Sequence, residues 1–239
     1  MVEFGGNLEI TYVMGGIARE FDDLPAIVMR WLRDAAASGM PVDPRIWAGD
    51  PPRSSYPACI AVRAAAEQGR GAAGRYLRLL REGFMCHSRR LDGPDALVKE
   101  AGRAGLDLER FRIDLQSNAI LEAFATDLDE SRTVAEAAGA ELPVLRFLTD
   151  AGSEERRVGA GDPYEEWRAA ATAAGASPDG TPPPDVPAAL RRFGSMATAE
   201  LAAVCDLPGP RAGAEAWRLA SEWRLRRVPV LFGELWEAA

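Results

Sequence analysis

The hydrophobic pattern near the N-terminus predicts one strand followed by a helix. Leu8 to Met14 begins with alternating apolar and polar residues and is rich in β-forming side chains, which favours a strand that Gly15-Gly16 ends. Asp22 and Asp23 then stand before a run from Leu24 to Leu32 whose apolar positions follow the helical period. We therefore expect a capped amphipathic helix directly after the first strand.

Residues 14–139 are mostly helical in this interpretation. Further helices are predicted after Ser54 or Ser55 as cap with Gly69 as stop, at 72–85, at 94–103, after Asp107 and at 117–138. The last of these is the longest, and its apolar residues fall on one predicted face, namely Ile120, Leu121, Phe124, Leu128 and Val134. A strand followed by this stretch predicts an α/β domain with a large helical insertion.

The segment from Glu141 to Phe147 is apolar and carries Pro143 near its head. Proline cannot donate to a β-ladder, so it belongs at the first residue or the edge of a strand. The turn at 150–153 and a second strand at 156–159 follow, and then a helix that Asp162 is expected to cap, with Pro163 at its first position. This order is typical of the closing half of a thioredoxin fold.

The C-terminal part predicts a separate module. Five prolines between Ala176 and Pro187 indicate a stiff linker. Helices at 186–193, 198–205 with Thr198 as cap, and 211–223 precede a hairpin at 225–236, which is the order of a winged helix-turn-helix. Three tryptophans are expected to fill its core, namely Trp217, Trp223 and Trp236. The predicted domains are 1–175, the linker 176–187 and the module 188–239.

Several segments together resemble the DsbA-like thioredoxin-fold family. They are Tyr12 to Gly16, Ser55 to Ala65, Ala104 to Asp107 with Phe111, Leu142-Pro143-Val144 and Gly159 to Trp167. The resemblance covers roughly residues 5–175, and it is to the branch of FrnE-like dithiol-disulfide isomerases, 2-hydroxychromene-2-carboxylate isomerases and the YjbH/SpxH adaptors of the ClpXP protease. The expected fold class is α/β, thioredoxin-like with a helical insertion and a winged-helix-like module.

The resemblance implies a C-x-x-C motif upstream of the first predicted strand, and this chain does not contain one. About 20 to 25 residues are expected to be absent, judged from mean element lengths. The chain is then a truncated form, a gene start placed at an internal methionine, or a member without redox chemistry. Of the family's site, the resemblance leaves Pro143 and the backbone of Leu142 to bind substrate, with a cis bond between them. The alternative is a strand-entry proline that shapes the hairpin.

Three functions follow from the resemblance. The first is a thiol-disulfide oxidoreductase or isomerase whose redox motif is missing, so that no catalytic residue is assigned. The second is a non-enzymatic adaptor that binds a client protein. The third is a glutathione-dependent isomerase of small molecules; otherwise no cofactor is predicted. The expected partner is a protein or peptide, either a thiol substrate or a client.

Composition excludes several other classes. The formal charge is −8, from 36 acidic and 28 basic residues, so no nucleic-acid binding is expected, although the stretch from Arg211 to Arg227 is locally positive. That stretch is interpreted as a DNA-recognition helix, a docking module or a stabilising appendage. No apolar run is long enough to span a membrane and no leader peptide is recognisable, so no membrane partner is expected.

The three cysteines are far apart in sequence, which favours a reducing cytoplasm over a disulfide framework. Cys59 lies in the first turn of a predicted helix, where a thiolate is favoured, but its apolar neighbours favour packing. Cys86 precedes His87, the one histidine; adjacent residues on a helix diverge, so a surface position without a dyad is expected. Cys205 is expected in a core. This residue set predicts no metal site.

Overall fold

A computed structural model describes residues 2–138, 143–159 and 161–239. The α-helices in this part of the chain are Leu24–Ser38 (α1), Ile46–Gly49 (α2), Tyr56–Ala66 (α3), Arg70–Met85 (α4), Pro94–Arg103 (α5), Leu108–Leu115 (α6), Asn118–Ala138 (α7), Tyr164–Ala173 (α8), Val186–Phe193 (α9), Thr198–Val204 (α10) and Arg211–Ser221 (α11). The strands are Val144–Leu148 (β1), Glu154–Gly159 (β2), Met196–Ala197 (β3), Leu225–Pro229 (β4) and Glu234–Ala238 (β5).

The chain divides into two compact units that interleave in sequence. The first unit contains residues 1–18, 55–76 and 101–181, and the second contains 19–54, 77–100 and 182–239. The C-terminal module is thus grouped with parts of the helical insertion. The sequence-based boundaries at 175 and 188 stay a prediction about domains, whereas these units describe which segments pack together.

In the first unit, β1 and β2 form the predicted antiparallel hairpin, with Leu145 opposite Val158. Helix α8 packs on β2, and the core between them is formed by Phe147, Val158, Ala170 and Ala171. Phe4 is buried in the same cluster. The α/β class with a hairpin followed by a helix is therefore confirmed.

Two local expectations in the first unit are wrong. Leu8 to Met14 forms no strand, because none of the described strands pairs with it. A high β-propensity shows that a segment is suited to a sheet, but a strand also needs a neighbouring strand to pair with. Asp162 does not cap α8, since Pro163 holds the N-cap position. The Asp162 carboxylate instead accepts a hydrogen bond from the N–H of Gly159, the last residue of β2, at 2.8 Å.

The helical part of the first unit is built around α3, α6 and α7. Asp107 caps α6 as predicted, because its carboxylate accepts from the N–H groups of Glu109 and Arg110. Ser55 lies at the N-cap of α3 without capping it. Its hydroxyl instead donates to the carbonyl of Ala18 at 2.9 Å, so it joins the loop after Gly16 to the helix.

In the second unit, an aromatic cluster joins α1, α2 and the end of α4. The rings of Trp31, Trp47 and Phe84 meet edge to face with centroids 5.1 to 5.4 Å apart. Asp23 caps α1 by accepting from the Ala26 N–H at 3.0 Å, as the sequence predicts. The predicted loop around Trp47 contains the short helix α2, and this tryptophan is buried there.

The C-terminal segment has the winged-helix order α9, β3, α10, α11, β4, β5, and its sheet order is β3-β5-β4. Trp236 is fully buried in its core. The prediction that Trp217 and Trp223 also fill this core is wrong, because 53% and 88% of their surfaces are exposed. Thr198 is likewise the first residue of α10 and not its cap.

Arg78 of α4 ties the winged helix to the rest of the second unit. Its guanidinium donates to Glu200 Oε2 and to the carbonyl of Ser195, both at 2.8 Å, and it also pairs with Glu82. Burial raises the pKa of Glu82, and the hydrogen bond from Arg78 opposes that shift. Bidentate arginine contacts of this kind fix orientation as well as distance.

Candidate functional site

Pro143 directly precedes β1 and is exposed. Its position at the head of a strand agrees with the expectation from its missing N–H. Leu142 lies outside the described residues, and so does the peptide bond that joins it to Pro143. The cis geometry of that bond and the substrate-binding role of Leu142 and Pro143 therefore stay predictions.

Strand β1 begins directly after Pro143 and belongs to a two-stranded sheet. Among the described residues its one strand partner is β2, which leaves the opposite edge without a ladder. The two faces of β1 are both anchored: Phe147 lies in the core with Val158, and Arg146 Nη1 donates to Glu130 Oε1 at 2.6 Å. An extended peptide can add to a strand of this kind through backbone hydrogen bonds, on the side where no described strand is paired.

Cys59 is a packing residue, as the sequence favours. It lies in the first turn of α3 and is buried. Burial raises its pKa to about 11, the nearby Asp127 raises it further, and a hydrogen bond from the Gly16 backbone opposes these effects only in part. At pH 7 such a thiol is ionised in roughly one molecule in 10⁴, so the helix N-terminus does not activate it.

The expectation that Cys86 lies at the surface is wrong. Its side chain is buried after the end of α4, and its Sγ donates to the carbonyl of Pro41 at 3.3 Å. Burial is the main cause that raises its pKa to about 11, and the charge of Glu82 adds to this effect. The thiol is thus engaged by a backbone carbonyl and held in its neutral form.

Cys205 is buried in the winged-helix core at the end of α10, as predicted. Burial raises the pKa of its thiol as well, and the charge of Asp185 has the same effect. All three cysteines of the chain are therefore free, buried and poorly ionised. Thiol-disulfide chemistry needs an accessible thiolate, and none of these side chains provides one.

A buried carboxylate that the sequence analysis missed lies on α7. Asp127 accepts a hydrogen bond from the Met14 N–H at 3.0 Å, and Arg63 Nε lies 3.5 Å from its Oδ2. Burial raises the pKa of Asp127, while the Met14 hydrogen bond and the charge of Arg63 oppose this. The signal was present in the sequence: Asp127 and Ser131 occupy the helical register of the buried residues Phe124 and Val134.

A cleft of about 590 Å³ in the second unit is lined by residues from three places in the sequence, and its polar side chains include Asp43, Arg45, His87 and Ser88. The Asp43 carboxylate accepts from Arg45 Nε at 2.8 Å, and this hydrogen bond is the main cause that lowers its pKa. Asp43 is therefore ionised, and its carboxylate is engaged by the Arg45 guanidinium, so it is not available as a proton acceptor. Among the described residues, no group of three or more His, Cys, Asp or Glu side chains is placed to hold a metal ion.

Helix α11 lies in the stretch that the sequence offers as a DNA-recognition helix. It contains glutamates that pair with its arginine Arg218. Arg218 donates to Glu215 at 2.7 Å and to Glu222 at 2.5 Å. In the hairpin that follows, Arg227 pairs with Glu234 and Arg226 pairs with Glu237. Arginines that are already paired must give up these partners before they can neutralise phosphates, which favours a surface for contacts other than DNA.

The fold and the sequence together define the class of this protein. The family model described as Thioredoxin matches residues 2–157, and the chain belongs to that family. None of the helices in the described ranges combines the length and apolar composition that crossing a bilayer requires.

Individual proteins also align with most of the chain. The ClpXP adapter protein SpxH of Halalkalibacterium halodurans is 29% identical over 98% of this chain and 80% of its own length. The proteins of the same name from Shouchella clausii and Bacillus subtilis are 30% and 29% identical over 87% of this chain, and the match covers 68% and 70% of their lengths. A match over 98% of the chain extends past residue 157 into the winged-helix module.

Proposed function

We propose that this chain is a protein-binding adaptor that presents a client protein to ClpXP. The observation that carries the proposal is the likeness to proteins named ClpXP adapter protein SpxH over both the thioredoxin part and the winged-helix module. Among the branches that the sequence resembles, this favours the YjbH/SpxH adaptors, which act in the cytoplasm by that resemblance.

The state of the thiols supports an adaptor over an oxidoreductase. Each of the three cysteines is buried, and the pKa of each is raised by that burial. A disulfide exchange step needs a thiolate that can reach its target, whereas an adaptor needs only complementary surfaces. The leading prediction of a redox enzyme therefore has less support than its alternative.

The segment that runs from the exposed Pro143 into β1 is the proposed client site. Pro143 leads into a strand whose one strand partner among the described residues is β2, and β2 with α8 holds that strand in place. An extended client segment can add to this edge, with backbone hydrogen bonds providing affinity and side-chain contacts providing selectivity. No cofactor enters this function.

The proposal is tested by trapping clients in the source organism. Inactive ClpP is produced in cells with and without the chain, and the proteins retained inside it are identified by mass spectrometry. We expect at least one protein to be retained only when the chain is present, and to bind the purified chain directly. Identical retained sets in the two strains would contradict the proposal.

A further inference from the structure

The β4–β5 hairpin is the wing of the winged-helix module, and its tip is bound to a loop between two helices of the second unit. The hairpin turns at 230–233, where the Val230 N–H donates to the carbonyl of Gly233 at 3.1 Å. The Val42 N–H donates to the Phe232 carbonyl and the Phe232 N–H donates to the Val42 carbonyl, both at 3.0 Å. Val42 lies in the loop between α1 and α2, so the wing pairs with a distant part of its own chain.

The loop that receives the wing is itself held at the end of α4. The Asp43 N–H donates to the carbonyl of Met85 at 2.7 Å, and Cys86 Sγ donates to the carbonyl of Pro41 at 3.3 Å. Both neighbours of Val42 are therefore hydrogen-bonded to the last residue of α4 or to the residue after it. These three hydrogen-bonded segments form a clasp, which comprises residues 41–43, 85–86 and 230–233.

Apolar packing connects the clasp to both sides. Val42 is 2% exposed and lies in the aromatic cluster with Trp31 of α1 and Trp47 of α2. A second buried cluster contains residues from the end of α4 and from the winged-helix sheet, namely Cys86, Ala197, Val230 and Leu235. At Gly233 the fit is tight, because an added Cβ would lie 3.0 Å from the Cβ of Pro41. The wing and the helices thus share buried surface.

Contacts away from the clasp join the same two parts. Arg78 of α4 donates to Glu200 of α10 and to the carbonyl of Ser195, which precedes β3. A Cβ added at Gly39, the C-cap of α1, would lie 3.3 Å from the Cβ of Ala199 on α10. If the winged helix moved away from the helices, these polar groups and the second buried cluster would be exposed to water together, which is costly.

We propose that the clasp makes the winged helix one cooperative unit with α1, α2 and the end of α4, so that these parts open together. This differs from the expectation of a separate module at 188–239 that a stiff linker joins to the rest. The consequence for function is a fixed orientation, because a partner bound on the winged helix is held in one geometry relative to these helices. The inference goes beyond the proposed adaptor function and does not depend on it.

Hydrogen–deuterium exchange of the full chain, read by mass spectrometry, tests the proposal. Leu219→Ala weakens the winged-helix core, because Leu219 is 1% exposed in a cluster whose described members all belong to that module. We expect the most protected amides of α1 to exchange about 30-fold faster, by the same factor as those of α10. Val186→Ala gives the same comparison with a milder loss, because Val186 is 1% exposed in the same cluster. Leu121→Ala is the matched control, since Leu121 is 45% exposed in the other unit, and it is expected to change exchange in α1 by less than about 2-fold.

A second substitution tests the clasp itself. Gly233→Val places a branched side chain against Pro41 at a φ of +100°, so it is expected to separate the wing from the loop. In this background, adding Leu219→Ala is expected to speed exchange in α10 and to leave exchange in α1 within about 2-fold. Faster exchange in α10 alone, when Leu219→Ala is made in the wild type, would overturn the proposal. Coupling that Gly233→Val leaves unchanged would also overturn it, because the clasp would then not be its cause.

Discussion

The backbone N–H of Met14 donates to Oδ2 of Asp127 at 3.0 Å. A buried carboxylate on α7 thereby fixes a segment of the chain that has no strand partner among the described residues. Arg63 of α3 lies 3.5 Å from the same oxygen, so one side chain connects three parts of the first unit. Such buried polar contacts are costly to break because the remaining group loses water as well as its partner.

Replacing Asp127 by alanine is expected to lower the free energy of unfolding by about 1–3 kcal/mol, since the Met14 N–H is left without its acceptor. Urea denaturation at pH 7 measures this loss. Asp129→Ala is the matched control, because Asp129 lies on the same helix with an exposed side chain. Its substitution is expected to change stability by less than about 0.5 kcal/mol; equal losses in the two variants would contradict the role of Asp127.

The pH dependence of Asp127→Asn gives a second test. Burial raises the pKa of Asp127 above its ordinary value of 3.8, so the folded state binds its proton more readily than the unfolded state. The contribution of this group to stability is therefore fully present below pH 3.8 and is lost as pH rises through the raised folded-state pKa.

Asparagine keeps the acceptor for Met14 and does not ionise. The free energy of unfolding of Asp127→Asn, relative to that of the wild type, is expected to be highest at pH 7. This difference is expected to shrink as pH falls toward 4. Urea denaturation of both proteins at several pH values measures the difference. A difference that is independent of pH would show that the pKa of Asp127 is not raised.

Trp223→Gly is expected to raise the free energy of unfolding of the monomer by about 1 kcal/mol, because glycine relieves the left-handed strain at φ +60°. Trp217→Gly is the contrasting variant. It places glycine inside α11 and removes a ring that packs on Trp236, so it is expected to lower stability by about 1 kcal/mol or more. Thermal melts at low protein concentration measure both changes, and a loss of stability in Trp223→Gly would be inconsistent with this strain.

The chain is expected not to reduce insulin disulfides above the uncatalysed rate. Its three thiols are buried, and the pKa of Cys59 is raised to about 11. The assay follows insulin turbidity with dithiothreitol present, and it includes Cys59→Ser. Turnover that this substitution abolishes would mean that Cys59 is accessible and reactive.

Local chemistry made much of the fold predictable. Asp23 and Asp107 cap helices where the sequence places them, because a capping carboxylate acts on N–H groups two or three residues away. The β1–β2 hairpin and the winged-helix order also follow from turns and periodicity. These features depend on residues that are close together in the sequence, so the sequence pattern is enough to predict them.

The features that could not be predicted depend on residues far apart. Leu8 to Met14 has the composition of a strand, but pairing needs a second strand that the pattern cannot supply. Cys86 is buried against the carbonyl of Pro41, a contact that spacing does not show. Trp217 follows the buried Ala216 on α11, and its helical position, more than its size, decides its exposure.

In the proposed function, this chain delivers a client to ClpXP, and the segment that runs from Pro143 into β1 takes part in binding that client. The most direct measurement times the ATP-dependent loss of a trapped client by purified ClpXP, with and without the full chain. We expect the chain to accelerate degradation at least 10-fold and Pro143→Ala to remove most of this effect, whereas Pro182→Ala, at another exposed proline, keeps it. Degradation at the same rate with and without the chain would contradict the account.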